Sequence, residues 1–305
     1  MKFLDLTIDL AFKRVFGNQA KSSITMSFLN SILDLPEGEK IQSVIITDPY
    51  NQQATMYLKR SVVDVRCTDQ MGRQFIIEVQ VENQDNYLQR SQYYAALAIS
   101  RQLESGALYT EIVPVIFIGV LSFNLFPEPD CINSFGTVHL KSNRLAMKQI
   151  SYTFIELKKF TKTLAQLETI ADKWIYLLKY AASLDCIPQA FDTTAELHDA
   201  LELLNQGTMN RTELRLYDQA VEDRRNEENI KRTQLRIMRE EGREEGRQEG
   251  RQEGRAEGRQ EGRAEGRAEG KREAMIALAK NMLEHLPIEK VANITGISVD
   301  ELKKL

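Results

Sequence analysis

The stretch SVVDVRCTDQMGRQFIIEVQV, residues 61–81, contains two strand patterns separated by a tight turn. β-Branched and aromatic residues alternate with polar residues on either side of Gln70–Gly72, which is typical of a β-hairpin. We therefore predict strands at Ser61–Thr68 and Arg73–Val81. In the second strand one face carries Phe75, Ile77, Val79 and Val81, and the other carries Gln74, Ile76, Glu78, Gln80 and Glu82.

The segments around this hairpin alternate between helix and strand patterns. Apolar residues at helical spacing predict helices over residues 8–16, 20–33 and 85–105; Thr7 can cap the first and Gly17 can end it. Residues 41–47 and 113–121 are rich in β-branched residues and predict two more strands. The resulting order, α-β-β-β-α-β, predicts an α/β fold with helices packed on a mixed sheet.

The character of the sequence changes along the chain and predicts four segments. Residues 1–160 form the α/β core, and residues 161–240 lose most strand signals and form a helical region. Residues 241–272 repeat the unit Glu-Gly-Arg-x, and residues 273–305 return to an amphipathic helical pattern. We therefore predict a core domain, a helical region, a charged spacer and a small helical C-terminal module.

The composition excludes several classes of protein. Hydrophobic residues make up 42% of the 305 residues, which is enough for a core, and the net charge of −4 excludes a polybasic protein. The three cysteines and three histidines lack the spacing of a disulfide framework or a zinc site. Asp5 and Asp9 interrupt the apolar run that a signal peptide needs, and the most apolar stretch, residues 112–126, is too short to span a membrane. We therefore predict a cytoplasmic protein with no membrane partner.

Two carboxylates fall in apolar strand surroundings. Asp64 lies within the apolar stretch 62–65, and pairing across the hairpin brings it near Glu78 on the neighbouring strand. If a helix covers this face, the carboxylates must be paired or bind a metal, and oxygen ligands favour a hard cation such as Mg²⁺. If the face is open to solvent, they are hydrated surface groups. The spacing alone leaves both interpretations open.

The order of these motifs resembles a known superfamily. The α-β-β-β-α-β order, with Asp64 on the second strand and Glu78-Val79-Gln80 on the third, is similar to the core of the PD-(D/E)XK nucleases. Residues 9–17, DLAFKRVFG, are similar to the D-x-x-F-K-x-x-F-G opening of the Rpn family, a bacterial branch of recombination-promoting nucleases and transposases. The resemblance covers about residues 5–126.

This resemblance implies a set of site residues. Asp64 and Glu78 would bind the catalytic divalent cation, Mg²⁺ or Mn²⁺, and the carbonyl oxygen of Val79 would complete the inner shell. Asp9 would contribute a third acidic group. Gln80 would stand where lysine is usual, and because an amide carries no charge it can orient water only by hydrogen bonding. A slow or conditional enzyme is therefore implied.

Three further residues have an implied role in contacting nucleic acid: Lys13, Arg90 and Tyr94. Lys13 follows Asp9 by four positions, so an ordinary pair within one helix explains it equally well. Arg90 and Tyr94 share a helix face and could contact a phosphate, or they could be an ordinary surface arginine and a half-buried tyrosine. Residues 141–180 contain eight basic and three acidic side chains, which predicts either a DNA-binding face or solvated lysines.

The charged repeat predicts a flexible or marginally helical spacer. Glu and Arg two positions apart lie on opposite sides of a helix, and each of the eight glycines opposes an isolated helix by up to about 1 kcal/mol. Two copies could order the repeat by aligning Glu with Arg, which predicts self-association through this tail. Residues 288–302 resemble a helix-turn-helix, but Asp300 and Glu301 would repel phosphates, so a protein-contacting helical hairpin is predicted.

Together these features predict a metal-dependent DNA endonuclease linked to recombination or to mobile elements. Its partner would be DNA, and metal-activated water would attack a phosphodiester. The alternative is a catalytically weak or inactive scaffold that keeps the nuclease fold and binds DNA or protein. RNA cleavage would use the same residues.

Overall fold

The computed structural model describes residues 1–47, 64–103 and 106–305, in two compact units, Met1–Arg224 and Arg225–Leu305. The helices are α1 (Asp9–Phe16), α2 (Ser22–Leu33), α3 (Tyr87–Ser100), α4 (Ile170–Tyr180), α5 (Ala195–Leu204), α6 (Arg211–Leu283), α7 (Ile288–Thr295) and α8 (Val299–Leu302). The strands are β1 (Val44–Thr47), β2 (Val65–Asp69), β3 (Gln74–Gln80), β4 (Val115–Leu121), β5 (Ile132–Gly136), β6 (Val138–His139), β7 (Arg144–Leu145) and β8 (Ile150–Glu156). Single-turn 3-10 helices lie at Gln19–Lys21, Glu37–Glu39, Tyr109–Glu111, Leu157–Lys159, Leu164–Gln166, Ala181–Ser183, Gln189–Phe191 and Gln206–Thr208.

Six strands of the first unit form one mixed sheet in the order β1-β2-β3-β4-β8-β5. β2 and β3 are the antiparallel strands of the predicted hairpin, with Val65 opposite Ile77. β3, β4 and β8 run parallel, so that Glu78 lies beside Gly119 and Gly119 lies beside Phe154. β1 and β5 add antiparallel strands at the two edges. The predicted α/β fold with a mixed sheet is therefore confirmed.

Helices cover both faces of this sheet. One face, which includes Phe75 and Ile77, packs against apolar residues of α1, α2, α4 and α5. The opposite face, which includes Ile76 and Phe117, packs against α3. Glu78 lies on the α3 side and is only 7% exposed. The residue alternation in β3 thus places a carboxylate in a covered layer of the fold.

Helices α4 and α5 share the core of the sheet rather than forming a core of their own. Trp174 on α4 and Leu201 on α5 are fully buried in the cluster that also contains Phe12, Phe16 and Phe28. The division of the chain at residue 160 stays a prediction. In the structure, the segment that follows residue 160 completes one face of the sheet.

Local differences from the predicted elements have simple causes. The predicted strand residues 61–63 lie outside the described residues, and β2 begins at Val65. Ile8 rather than Thr7 occupies the N-cap of α1, because the Thr7 hydroxyl donates a hydrogen bond to Asp5 at 2.6 Å. Strands β5 and β8 are not among the predicted elements. They lie on either side of a polar, basic segment, and each is too short for its alternation of apolar and polar residues to stand out from that segment.

The second unit consists of most of α6 followed by two short helices. Ala279, Val291 and Leu302 form its small buried core. Gly296, with φ of 70°, ends α7, and α8 has only four residues. No helix in residues 1–47, 64–103 and 106–305 is both long and apolar enough to cross a membrane.

The Glu-Gly-Arg repeat is helical in the structure, within α6, whereas the sequence predicts a flexible or marginally helical spacer. The repeat continues a helix that has already begun at Arg211, so it needs no new nucleation step. The first turns of α6 are anchored by Tyr217, whose hydroxyl accepts a hydrogen bond from the Asp5 backbone at 2.8 Å. A Cβ at any of the repeat glycines would meet no neighbouring atom within 4 Å. Close packing against neighbouring residues therefore does not explain why glycine recurs in the repeat.

Gly119 sets how closely α3 approaches the sheet. A Cβ at this position would lie 2.5 Å from the Tyr87 hydroxyl oxygen and 2.8 Å from the Phe154 ring. We expect Gly119→Ala to lower the free energy of unfolding by about 1–3 kcal/mol, because the overpacked helix must shift. Urea denaturation of the purified protein measures this change.

Gly38→Ala is the matched control, since a Cβ there meets nothing within 4 Å. It is expected to change the unfolding free energy by less than about 0.5 kcal/mol. Equal effects of the two substitutions would contradict the proposed role of Gly119.

Candidate active site

Asp64 is held at the end of the β2–β3 hairpin by the backbone. It immediately precedes β2, and its Oδ2 accepts a hydrogen bond from the Val79 N–H at 2.7 Å. The antiparallel register pairs Val65 with Ile77. Asp64 comes one residue before Val65 and Glu78 one residue after Ile77, so the two lie near each other on neighbouring strands. This main-chain contact fixes the carboxyl group of Asp64 beside the last residues of β3.

The Asp64 carboxyl group has other acidic groups close to it. Burial raises its pKa from an ordinary 3.8 to about 7, although the Val79 N–H opposes this change. The Asp9 carboxylate raises it further through its charge and a hydrogen bond, and the Glu78 charge adds to the effect. Three acidic side chains from α1 and from the ends of β2 and β3 therefore interact electrostatically.

Glu78 is the most enclosed carboxylate of this cluster. Its Oε1 accepts a hydrogen bond from Arg90 Nη2 at 2.9 Å, and its Oε2 is buried with no hydrogen-bond partner in the described part of the chain. Burial raises the pKa of Glu78, and the nearby Arg90 charge partly offsets this rise. The interpretation as a hydrated surface group is therefore wrong for Glu78. A buried oxygen with an unused lone pair is suited to a cation.

Arg90, on α3, is held in place on several sides. Besides Glu78, its guanidinium donates to Gln80 Oε1 at 2.7 Å and to Gln84 Oε1 at 2.6 Å. Its charged carbon lies 5.2 Å from the centre of the Tyr87 ring, which is a cation–π distance. The side chain is 24% exposed, so one part of it is open to solvent. In the structure Arg90 is therefore an ion-pair partner of Glu78, and contact with a phosphate stays a prediction.

Gln80 occupies the same face of β3, two residues after Glu78. Its Oε1 accepts the hydrogen bond from Arg90, and its Nε2 donates to the Glu82 carbonyl oxygen at 3.1 Å. A lysine here could not accept from Arg90 and would place a second cation beside it. The glutamine is thus compatible with Arg90 in a way that the usual lysine is not.

Asp9 and Lys13 form an ion pair within α1, as their spacing allows. Lys13 Nζ lies 2.8 Å from Asp9 Oδ1, and the Asp9 side chain is 59% exposed. The same Asp9 carboxylate also affects the pKa of Asp64. The intrahelical pair and a place in the acidic cluster are therefore compatible.

Tyr94 lies on α3 at the edge of this cluster. Partial burial raises its pKa, and the charges of Glu78, Arg90 and Asp64 also affect it. Val79 contributes its N–H to Asp64; a role of its carbonyl oxygen toward a metal stays a prediction. Within the described parts of the chain, no group of three or more His, Cys, Asp or Glu side chains has the geometry of a metal site.

Three lysines in the second half of the basic segment 141–180 bind acceptors within the fold. Lys159 lies 2.6 Å from the fully buried Glu156, and Lys162 pairs with Asp172 at 2.8 Å. Lys179 donates to the Phe160 carbonyl oxygen at 2.7 Å. These lysines satisfy internal acceptors, whereas the basic residues before position 149 lie on an exposed hairpin.

Three residues of the site were not singled out by the sequence patterns: Gln84, Tyr87 and Gly119. Tyr87 precedes Arg90 by three positions, and this helical spacing is a signal for their contact. Gln84 precedes α3 and carries no comparable signal. Gly119 pairs with Glu78 across parallel strands, a relation that depends on the sheet register.

The fold and the carboxylates at the end of the β2–β3 hairpin define the class of protein, a nuclease-type α/β core. A family model described as PD-(D/E)XK nuclease family transposase matches residues 6–234, and the chain belongs to this family. The resemblance found in the sequence is thereby confirmed. Searches of curated proteins and of solved structures found no match. Membership assigns a nuclease or transposase-like role, and nucleases of this superfamily generally use divalent metal ions.

The raised pKa of Asp64 predicts a pH-dependent cost to stability. The native state keeps this proton up to about pH 7, while the unfolded state releases it near pH 4, so stability falls as pH rises between these values. In EDTA, we expect Asp64→Asn to stabilise the protein at pH 8 by about 1 kcal/mol or more, or about 2–4 °C in Tm. Differential scanning calorimetry measures this gain.

The gain should be much smaller at pH 4, where native Asp64 is already protonated. Asp34→Asn, at an exposed carboxylate of the same unit, is the matched control and is expected to leave Tm unchanged at both pH values. An equal gain for Asp64→Asn at pH 4 and pH 8 would contradict the electrostatic explanation.

Proposed function

We propose that this protein is a DNA endonuclease that uses Mg²⁺ or Mn²⁺, bound by Asp64 and Glu78. The observation that carries the proposal is the buried Glu78 Oε2, which has no hydrogen-bond partner among residues 1–47, 64–103 and 106–305 and lies close to a second largely buried carboxyl group. Leaving such groups uncompensated is costly, and a hard divalent cation with oxygen ligands removes this cost. We further propose that the activity serves recombination or mobile-element processing.

The chemistry of these side chains suits such a cation, although the described residues form no ready group of three ligands. Asp64 and Glu78 supply hard oxygen ligands, Asp9 adds a third carboxylate at the rim, and the Val79 carbonyl oxygen is the remaining candidate. When bound, the cation would polarise a phosphate oxygen and lower the pKa of a water molecule. This donor set contains no thiolate or imidazole, which favours Mg²⁺ or Mn²⁺ over a softer metal.

In this proposal, the carboxylates are oriented by neighbouring groups. The Val79 N–H holds one oxygen of Asp64, which also has a hydrogen bond with Asp9, and Arg90 holds Oε1 of Glu78. A cation would take the place of the proton that Asp64 and Asp9 share. Fixed hydrogen bonds of this kind limit the rotation of ligands and support metal affinity. Lys13 and Tyr94 are the candidate phosphate contacts at the rim.

We also propose that Arg90 supplies the positive charge that Gln80 lacks. Its guanidinium bonds both Glu78 and Gln80, so it lies where a lysine on β3 would otherwise act. A cation at this point can stabilise negative charge that develops on the phosphate. Gln80 would orient water by hydrogen bonding.

Other features stay predictions from the sequence: the cytoplasmic location, self-association through the tail, and the use of DNA rather than RNA. The alternative function is a non-catalytic scaffold that binds DNA or protein. The ion pair between Glu78 and Arg90 is the observation that favours it, because a paired carboxylate is less available to a metal.

Cleavage of supercoiled plasmid with Mg²⁺ or Mn²⁺, against EDTA, tests the proposed activity. We expect metal-dependent nicking that Asp64→Asn and Glu78→Gln each reduce by more than about 100-fold, since loss of outer-shell partners alone costs about 10–100-fold. Both variants should also lose the increase in Tm that Mn²⁺ gives the wild type.

Asp34→Asn is again the control and should nick at the wild-type rate. Intact plasmid binding by wild type without nicking in either metal would favour the scaffold. Nicking that persists in EDTA or in Asp64→Asn would indicate a contaminating or different activity.

Substitution at Gln80 tests the proposed role of Arg90. Gln80→Lys removes the acceptor of Arg90 and adds a second cation, so we expect slower nicking by about 10-fold or more rather than an improvement. Arg90→Gln alone should be slower still, because it leaves buried Glu78 unpaired.

The double variant Gln80→Lys with Arg90→Gln keeps a single cation beside Glu78. It is expected to nick faster than either single variant, and this coupling is the measured quantity in a double-mutant cycle. Additive losses, or faster nicking by Gln80→Lys alone, would contradict the role assigned to Arg90.

A further inference from the structure

A long hairpin leaves the sheet between β5 and β8. It contains β6 and β7, which pair Val138 with Leu145. All residues of the segment 134–149 are exposed. Apart from His139, which contacts Ser142 at 2.9 Å, the turn is built by backbone hydrogen bonds and by Asn143 with φ of 51°. We call residues 137–149 the basic hairpin.

The charge of the basic hairpin favours a polyanion. It carries Lys141, Arg144 and Lys148, and the segment 131–155 contains no Asp or Glu. The whole chain has a net charge of −4, so the positive charge of the basic hairpin is opposite in sign to the net charge of the protein. Exposed basic side chains without acidic neighbours are suited to phosphates.

An aromatic cleft of about 430 Å³ lies at the base of this hairpin. Its aromatic lining consists of Phe126, Phe135, Tyr152 and Phe154. The Phe126 ring centre lies 4.7 Å from that of Phe135 and 5.3 Å from that of Phe154. Phe135 is 42% exposed, whereas Phe126 and Tyr152 are half-buried and Phe154 is buried. The cleft therefore presents part of an aromatic ring to solvent.

The aromatic cleft lies on the same side of the sheet as the candidate metal ligands. Glu78, Gly119 and Phe154 are in register on three neighbouring parallel strands. Two strand spacings separate Glu78 from Phe154, or about 10 Å between their backbones. Helix α3 contributes Arg90 at one end of this row, and Leu88 and Gln92 to the cleft.

From this arrangement, and resting on the proposed nuclease function, we propose that the protein binds single-stranded DNA. One unstacked base lies in the aromatic cleft, and the phosphates on its outer side contact the basic hairpin. Base stacking on aromatic rings combined with cations along the backbone is the physical basis of single-strand binding. The backbones of Glu78 and Phe154 lie about 10 Å apart, and Tyr87 on α3 covers Gly119 between them, so the strand would pass around α3 to bring a phosphate to Asp64 and Glu78.

A paired duplex fits these features less well. Its bases expose only their edges, whereas the exposed ring of Phe135 needs the face of a base. Leu140, 89% exposed at the turn, and Met147, 65% exposed, add apolar surface that unpaired bases can cover. The preferred substrate is therefore DNA with a single-stranded segment, such as a flap or a melted end.

Binding is measured separately from cleavage, with the full chain carrying Asp64→Asn. The probes are a fluorescein-labelled thymidine 20-mer, a blunt duplex of equal length and an oligonucleotide containing 2-aminopurine. We expect the single strand to bind more tightly than the duplex, and 2-aminopurine emission to be quenched when the base stacks.

Phe135→Leu keeps apolar cover but removes the ring. It should weaken single-strand binding at least about 5-fold and abolish the quenching, while Phe135→Trp should restore both. The exposed position of Phe135 leaves the fold intact, which thermal denaturation checks.

The triple variant Lys141→Ala, Arg144→Ala, Lys148→Ala should weaken binding most at low salt, where released counterions contribute most. The slope of log affinity against log salt should fall by about 2, as expected for three lost single-strand phosphate contacts. The matched control removes the same charge from exposed positions elsewhere, with Lys2→Ala, Arg211→Ala and Arg215→Ala, and should bind normally.

The outcomes separate this inference from the proposed function. Wild-type plasmid nicking together with unchanged single-strand binding by the hairpin and Phe135 variants would overturn the inference and leave the nuclease intact. Tighter binding of the duplex, or of a uridine RNA 20-mer, would also overturn it. Failure of the wild type to bind or nick any DNA with either Mg²⁺ or Mn²⁺ would overturn the proposed function itself.

Discussion

The ion pair between the half-buried Arg90 and the buried Glu78 joins α3 to the sheet at the place where the candidate site forms. Neither group would be stable there alone, because a buried charge without a partner loses its hydration. Tyr87 covers the flat face of Arg90, and its hydroxyl reaches the gap above Gly119. The approach of α3 to the sheet, and with it the positions of Tyr87 and Arg90, therefore depends on the missing side chain at Gly119 in β4.

The acidic cluster is tolerated because the surrounding core is strong. In the layer that anchors α1, the Phe16 ring centre lies 4.7 Å from Phe12, 4.9 Å from Phe28 and 5.7 Å from Trp174. These aromatic contacts hold the helix that carries Asp9 close to Asp64. The repulsion among the carboxylates is a local cost that functional sites often retain, since perturbed pKa values are typical of them.

Several features could be predicted from short-range patterns. The alternation of residues 73–81 predicts β3 and the face that carries Glu78, and the pattern of residues 9–17 predicts α1. Other features depend on long-range contacts that local patterns do not contain. Lys159, for example, looks like surface charge in the sequence, but in the structure it pairs with the buried Glu156. In the repeat of α6, local propensity gives the wrong expectation. Its glycines oppose a helix, yet the repeat is helical in the structure.

The sequence by itself determined the strand alternation, the helix spacing and the motif order, because these depend on side-chain periods of 2 and 3.6 residues. Membership of the nuclease family follows from the same residues. Only the tertiary structure decided that a helix covers Glu78, that Arg90 binds it and that an aromatic cleft lies two strands away. These relations arise from sheet register and helix docking, which bring together residues that are far apart in the chain.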